Sequence, residues 1–186
     1  MAAVVILIVI IAVAVLLLAG TYNRLVGLRQ RANQAFADVD VQLQQRHDLV
    51  PNLVETVKGY AAHEKGTLEA VTAARAAATS AGTVEQKVQA ENALTGALRQ
   101  LFAVAEAYPD LKANQNFLQL QGELGDVENK LAAARRFFNS AVSEYNAAIQ
   151  QFPAVLIAGA MGFGERSFFD VGADRAAVSA APEVKF

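Results

Sequence analysis

Cysteine is absent from this 186-residue chain. That excludes disulfides, a thiolate nucleophile and the lipidated cysteine of a lipoprotein, and it agrees with a reducing compartment. A charge excess is absent too. Sixteen Lys and Arg stand against eighteen Asp and Glu, interspersed, for a net charge of −2. No basic footprint for nucleic acid results. Proline occurs only four times, at Pro51, Pro109, Pro153 and Pro182, and no run of alternating β-branched residues reads as a strand. No Gly-rich phosphate loop opens a helix, and no Gly-x-Ser-x-Gly turn is present. Serine is scarce, and neither His47 nor His63 has an obvious serine partner. No enzyme and no cofactor are expected.

What the chain does have is an uninterrupted apolar run. Eighteen aliphatic residues extend from Ala2 to Ala19 without a polar side chain. As a helix they span roughly 27 Å, close to the ~30 Å hydrocarbon core of a bilayer. A cleaved secretory signal needs a positive n-region, and no Lys or Arg precedes this run. Leu17-Leu18-Ala19-Gly20 opens like a lipoprotein box, but Thr21 occupies the cysteine position. The run therefore reads as a retained transmembrane anchor. Arg24, Arg29 and Arg31 follow it before the first acid, Asp38. Positive flanks stay cytoplasmic, which predicts a single-pass protein of the inner membrane with its N-terminus out and its bulk in the cytoplasm. Tyr22 stands where an interfacial aromatic is expected.

The remainder is rich in Ala, Gln, Leu, Glu and Arg, all good helix formers, and the fold class reads as all-α. Leu25, Leu28, Ala32, Ala35, Val39, Leu43 and Arg46 recur at spacings of three and four. Helix 1 is expected to run from the membrane to about Gln45, with Gly20 as its one weak point. Asp48 then reads as an N-cap and Pro51 as a first-turn residue of a second helix ending near Thr79. Thr83-Val84-Glu85-Gln86 fits a capping box for the third. Tyr108-Pro109-Asp110 ends that helix. A fourth carries Phe117, Leu120, Leu124, Val127, Leu131, Ala134, Phe138, Val142, Tyr145, Ile149 and Phe152 until Pro153, weakened locally at Gly122 and Gly125. These elements predict an antiparallel four-helix bundle over 22–153 behind an anchor at 1–21. An apolar segment at 154–170 is expected to pack on the bundle or the membrane interface, with docking on the bundle favoured, and 171–186 reads as a loose tail.

The polar residues that need a reason cluster around Arg46. A metal site from His47, Asp48, His63 and Glu64 suits the chemistry of zinc or iron, but the spacing is poor. Adjacent His63 and Glu64 point about 100° apart on a helix, and Thr67 stands where a zincin pattern needs its second His. The better reading is structural, with no metal. Arg46, His47 and Asp48 would cap the turn between helices 1 and 2, and Asn52 and Glu55 would suit the start of helix 2. Arg135 and Arg136 form a second charged pair, with Glu64 or Glu128 as candidate partners.

Two blocks carry a resemblance. One is Tyr22-Asn23-Arg24-Leu25-Val26 together with Asp40-Val41-Gln42-Leu43-Gln44-Gln45-Arg46-His47-Asp48-Leu49-Val50-Pro51-Asn52-Leu53-Val54-Glu55-Thr56-Val57-Lys58-Gly59-Tyr60. The other combines Glu128-Asn129-Lys130-Leu131, Ala134-Arg135-Arg136-Phe137-Phe138-Asn139, Tyr145-Asn146 and Phe152-Pro153, followed by Gly162-Phe163 and Phe168-Phe169. From Tyr22 to about Phe169 the chain resembles the LemA family of bacterial membrane proteins. Phe36 is a mild departure, standing where a Trp or other bulky aromatic is common. The resemblance implies one N-terminal membrane helix, a cytoplasmic helical bundle and a link to membrane shaping. It also implies gene neighbours encoding TPM-domain proteins or membrane metalloproteases, and it brings no established enzymatic activity.

The expected function is a membrane-anchored, homo-oligomeric scaffold that organises or shapes the cell envelope. Its contacts with other copies or with the lipid bilayer are expected at Ala12, Ala19, Gly20, Tyr22 and Phe163. Small residues let helices approach closely in a membrane. The alternative is an adaptor that binds a membrane protein partner, either a protease or a TPM-domain protein.

Overall fold

The computed structural model describes residues 1–169; the expected tail at 171–186 lies outside them. Five α-helices make up most of the described residues: α1 Ala2–Lys58, α2 Lys65–Ser80, α3 Val84–Glu106, α4 Pro109–Lys112 and α5 Gln115–Gln150. A 3-10 turn at Ala154–Leu156 follows. The described residues are 82% helical and contain no strand, so the protein is all-α.

α1 departs most from the sequence expectation. It runs unbroken through Gly20 as expected, but it does not turn at Arg46–Asp48 and continues to Lys58 with Pro51 in its interior. The reason lies in the phase of its apolar stripe. Val39, Leu43, Arg46, Val50, Leu53 and Val57 are all buried and continue the three-four rhythm across the proline. Pro51 lies on the exposed face of the helix. A proline inside a helix also removes one hydrogen bond, leaving the carbonyl four residues earlier without its donor. That carbonyl belongs to His47, and Arg75 Nε from α2 donates to it at 2.7 Å. A tertiary donor thus replaces the missing amide, and the first true turn comes later, at 59–64.

The other boundaries follow local chemistry. Thr83 accepts from the Gln86 amide at 3.2 Å, and Gln86 Oε1 accepts from the Thr83 amide at 3.2 Å, completing the expected capping box of α3. Pro109 occupies the first turn of α4. Asn114 Oδ1 accepts from the Phe117 amide at 3.0 Å and so starts α5.

The residues divide into two compact units. One comprises Met1–Val39 and Ala133–Phe168; the other is built on Asp40–Ala132. In the second unit, Val50, Leu53 and Val57 of α1 form one core with Leu68 and Val71 of α2, Leu94, Leu98 and Leu101 of α3, Leu111 of α4, and Phe117 and Leu124 of α5. Each fully buried Leu contributes about 1.5–3 kcal/mol relative to exposure. In the first unit, α1 and α5 run antiparallel. Phe36 meets Phe138 with ring centroids 5.3 Å apart, Arg31 meets Glu144 at 3.1 Å, and Leu25 shares a core with Tyr145, Ala148 and Ile149.

The chain after α5 folds back onto this pair. Ala154, Ala158 and Phe163 enter the core around Leu25. Gly162 makes the reversal at φ +72°, a conformation that favours glycine. Asn146 then holds Arg166 by two hydrogen bonds, Nδ2 to its carbonyl at 2.9 Å and Oδ1 from its amide at 3.0 Å. Tyr145 Oη donates to the Gly164 carbonyl at 3.0 Å, and Arg166 Nη1 reaches the Arg29 carbonyl at 3.3 Å. Phe152 does not continue the buried stripe of α5, because the helix ends at Gln150 and its ring is 80% exposed.

Candidate functional site

The buried polar centre lies in the second unit. Arg46 and His47 project from α1, Glu91 and Thr95 from α3, and Glu128 from α5. Arg46 Nη1 meets Glu91 Oε2 at 2.6 Å, and Arg46 Nη2 meets Glu128 Oε1 at 2.7 Å. Nη2 also donates to Thr95 Oγ1 at 2.8 Å, while Thr95 donates its own hydrogen to the Glu91 carbonyl at 2.8 Å. His47 Nε2 lies 2.6 Å from Glu91 Oε1. An ionised carboxylate only accepts, so Nε2 carries the hydrogen and donates. Arg46, His47 and Glu91 are all at most 5% exposed.

Opposing effects act on the Glu91 carboxyl. Burial alone would raise its pKa. The His47 hydrogen bond and the Arg46 charge, together with the other His47 and Arg46 interactions, outweigh burial and hold it below the usual carboxylate range. Glu91 is therefore a buried anion bridging a guanidinium and an imidazole. Its oxygens are both engaged, so the group joins α1 to α3 rather than offering itself to a substrate. Beside it opens a cavity of about 430 Å³ lined by Arg46, Thr95, Arg99, Gln121 and Glu128.

The proposed helix 1–2 capping cluster is corrected by this geometry. Arg46 and His47 are interior residues of a continuous helix and bond across to α3, not to helix ends. Asp48 is exposed and accepts from Gln44 Nε2 at 2.8 Å one turn away. Asn52 is exposed, and its carbonyl accepts from Thr56. Glu55 is exposed and pairs with Lys58 at 3.5 Å along the same helix. None of these three marks the start of a second helix, because α1 runs on to Lys58.

Of the residues weighed for a metal, His47 is held by Glu91, His63 is exposed in the turn after α1, and Glu64 accepts from Tyr108 Oη at 3.4 Å. Among the described residues no group of three or more His, Asp or Glu is placed to hold a metal ion. Glu128, weighed as a partner of Arg135 or Arg136, is bonded to Arg46, while Arg135 is half-buried and Arg136 exposed.

Sequence reading missed Glu91, Thr95 and Arg75. For Glu91 a signal existed. It stands three residues before Leu94 and seven before Leu98, on the apolar stripe of α3. Arg46 likewise stands on the stripe of α1. Two opposite charges on two apolar stripes call for each other.

The expected contact residues divide. Ala12, Ala19 and Gly20 are exposed and Tyr22 is 42% exposed. Phe163 is not available as an outward contact. It is 3% exposed, packed edge-on against Tyr22 at 5.6 Å and beneath the Arg29 guanidinium at 4.9 Å. The first stretch of α1 has a mean hydropathy of 3.5 over eighteen residues, and none of it is buried by the other described residues. It is long and apolar enough to cross a membrane.

The LemA family profile matches residues 35–186. Magnetosome protein MamQ of Magnetospirillum gryphiswaldense is 26% identical over 174 residues, covering 80% of this chain and 64% of that protein. Magnetosome protein MamQ 2 of Paramagnetospirillum magneticum is 24% identical over the same coverage. Protein LemA of Metamycoplasma hominis is 27% identical over 138 residues, covering 72% of this chain and 61% of that protein. The chain thus spans less than two thirds of the length of each of these relatives. With its apolar first helix, its all-α fold and a profile match over most of its length, the chain is a membrane-associated helical protein and belongs to the LemA family.

Proposed function

We propose that this protein is a homo-oligomeric scaffold of the bacterial inner membrane that organises or shapes the envelope. Its N-terminus lies outside and its bulk in the cytoplasm, the side favoured by Arg24, Arg29 and Arg31. The observation that carries the reading is the continuity of α1 across Gly20. A helix without a break transmits orientation, so the first unit takes a set attitude to the bilayer instead of swinging on a linker. Copies held in one attitude can pack laterally. The exposed small residues Ala12, Ala14, Ala19 and Gly20 permit close approach of neighbouring spans. The buried network around Glu91 joins α1, α3 and α5, a cross-linking of helices that suits a rigid scaffold. The similarity to proteins named for the magnetosome fits an envelope function.

Mass photometry of the full chain in detergent or nanodiscs tests this reading, with assemblies of defined stoichiometry expected. A strict monomer at micromolar concentration overturns it. Crosslinking in cells separates the adaptor reading, which requires one dominant crosslink to another membrane protein in place of crosslinks between copies.

A further inference from the structure

We infer that the loop following α5 is a second membrane contact, an apolar finger that enters the lipid interface beside the α1 span. The inference rests on the membrane-anchor reading of α1 and adds a site to it.

The register of the first unit places the finger. Going down α5, Phe138 meets Phe36, Glu144 meets Arg31, and Ile149 shares the core of Leu25. Each step along α5 approaches the N-terminal end of α1. The chain then returns in the opposite direction, with Phe163 against Tyr22 and Arg29, and Arg166 against the Arg29 carbonyl. The residues between Ile149 and Phe163 therefore make their turn at the level of Tyr22 and beyond it, toward the apolar run. That is where the bilayer begins if Ala2–Ala19 spans it.

The chemistry of the finger suits that position. No charged residue lies between Gln151 and Gly164. Ala154, Ala158 and Phe163 face the core, whereas Phe152 is 80%, Leu156 71%, Val155 52% and Met161 44% exposed. In water this would be an uncovered cluster of large apolar side chains. In the headgroup–acyl boundary it is solvated by lipid, at a depth of about 5–10 Å. Backbone polarity, the usual obstacle to placing a loop there, is largely met inside the loop. The Val155 amide donates to Gln151 O at 2.9 Å, Ala158 to Ala154 O at 2.8 Å, Met161 to Ile157 O at 3.0 Å and Phe163 to Ala158 O at 2.9 Å. Arg29, Glu165 and Arg166 bring charge back where the chain leaves this level. A second copy is a weaker occupant, because the patch sits at the level of Tyr22, where the span begins and lipid already occupies the adjoining volume.

The absence of cysteine makes the test direct. Single Leu156→Cys, Ala37→Cys and Val9→Cys variants of the full chain are labelled with an environment-sensitive fluorophore and placed in phosphatidylcholine–phosphatidylglycerol vesicles. Leu156 is mostly exposed, so its replacement removes little core packing. Ala37 is an exposed α1 residue about 26 Å along the helix from Gly20. At position 156 the emission is expected to shift to the blue and lose most of its intensity to a quencher on the upper acyl chain, with aqueous iodide having little effect. At position 37 iodide quenches and the lipid quencher does not. Iodide quenching at 156 equal to that at 37 overturns the inference. Protection at 156 from both quenchers also overturns it, assigning the patch to protein. The label at Val9 reports the anchor separately. Lipid quenching at 9 without quenching at 156 sinks only the finger, while failure at 9 sinks both readings.

Discussion

His47, Pro51 and Arg75 form one unit at the residue scale. The proline removes the amide that would have bonded the His47 carbonyl, and Arg75 Nε supplies the replacement. Arg75→Ala is expected to destabilise the protein by about 1–3 kcal/mol, the cost of a buried acceptor left unmet. In a Pro51→Ala background, where the amide is restored, the same change should cost clearly less. A double-mutant cycle by denaturation in detergent measures the coupling; equal costs in both backgrounds refute it. Glu91 gives a second prediction. Its carboxyl pKa is lowered in the folded state, so its contribution is fully present above the unfolded value of about 4.3 and is lost as pH falls through the folded value. Stability should therefore decline with acid below about pH 4.3, and Glu91→Ala should flatten that decline. The same substitution should cost about 3 kcal/mol at neutral pH, toward the lower end for a broken buried pair, because Glu128 still faces Arg46.

At the scale of elements, helix starts with a local side-chain signal were legible. The Thr83–Gln86 box and Pro109 sit where their chemistry requires. Asp48–Pro51 carries an equally good local signal for a helix start and yet lies inside α1. Local propensity is a weak prior, and here the donor that overrides it comes from a residue 24 positions after the proline. The glycines of α5 are a simpler case. A methyl group at Gly122 or Gly125 would meet nothing within 4 Å. Gly122→Ala and Gly125→Ala are each expected to stabilise by up to about 1 kcal/mol, read as a higher denaturation midpoint. For α1, inserting two glycines after Gly20 should leave membrane insertion intact but dissolve the assemblies, as sized by mass photometry. Unchanged assemblies would remove continuity as the basis of scaffolding.

For the whole molecule, the expectation that matters most is topology. An exposed cysteine introduced as Ala37→Cys should resist a membrane-impermeant maleimide in intact cells and react once the cells are opened. Labelling from outside would reverse the proposed orientation and move the scaffold to the opposite face of the membrane. The finger after α5 belongs to this scale as well. The unbroken α1 sets the attitude of the first unit to the bilayer, and a second contact beside it reinforces that attitude.

Composition and periodicity by themselves determined that this chain is helical, that its first eighteen aliphatic residues are long enough to cross a bilayer, and that its α5 stripe faces a core. Those properties depend on neighbours a few residues apart, and sequence spacing reports them directly. Tertiary structure alone decided that α1 passes through Pro51, that Arg46 and His47 close on Glu91, and that Phe163 turns inward while Phe152 and Leu156 stay out. Each of these depends on a partner far along the chain. A buried charge or an unmet carbonyl shows in sequence that something must satisfy it, but only the packed fold selects which residue does.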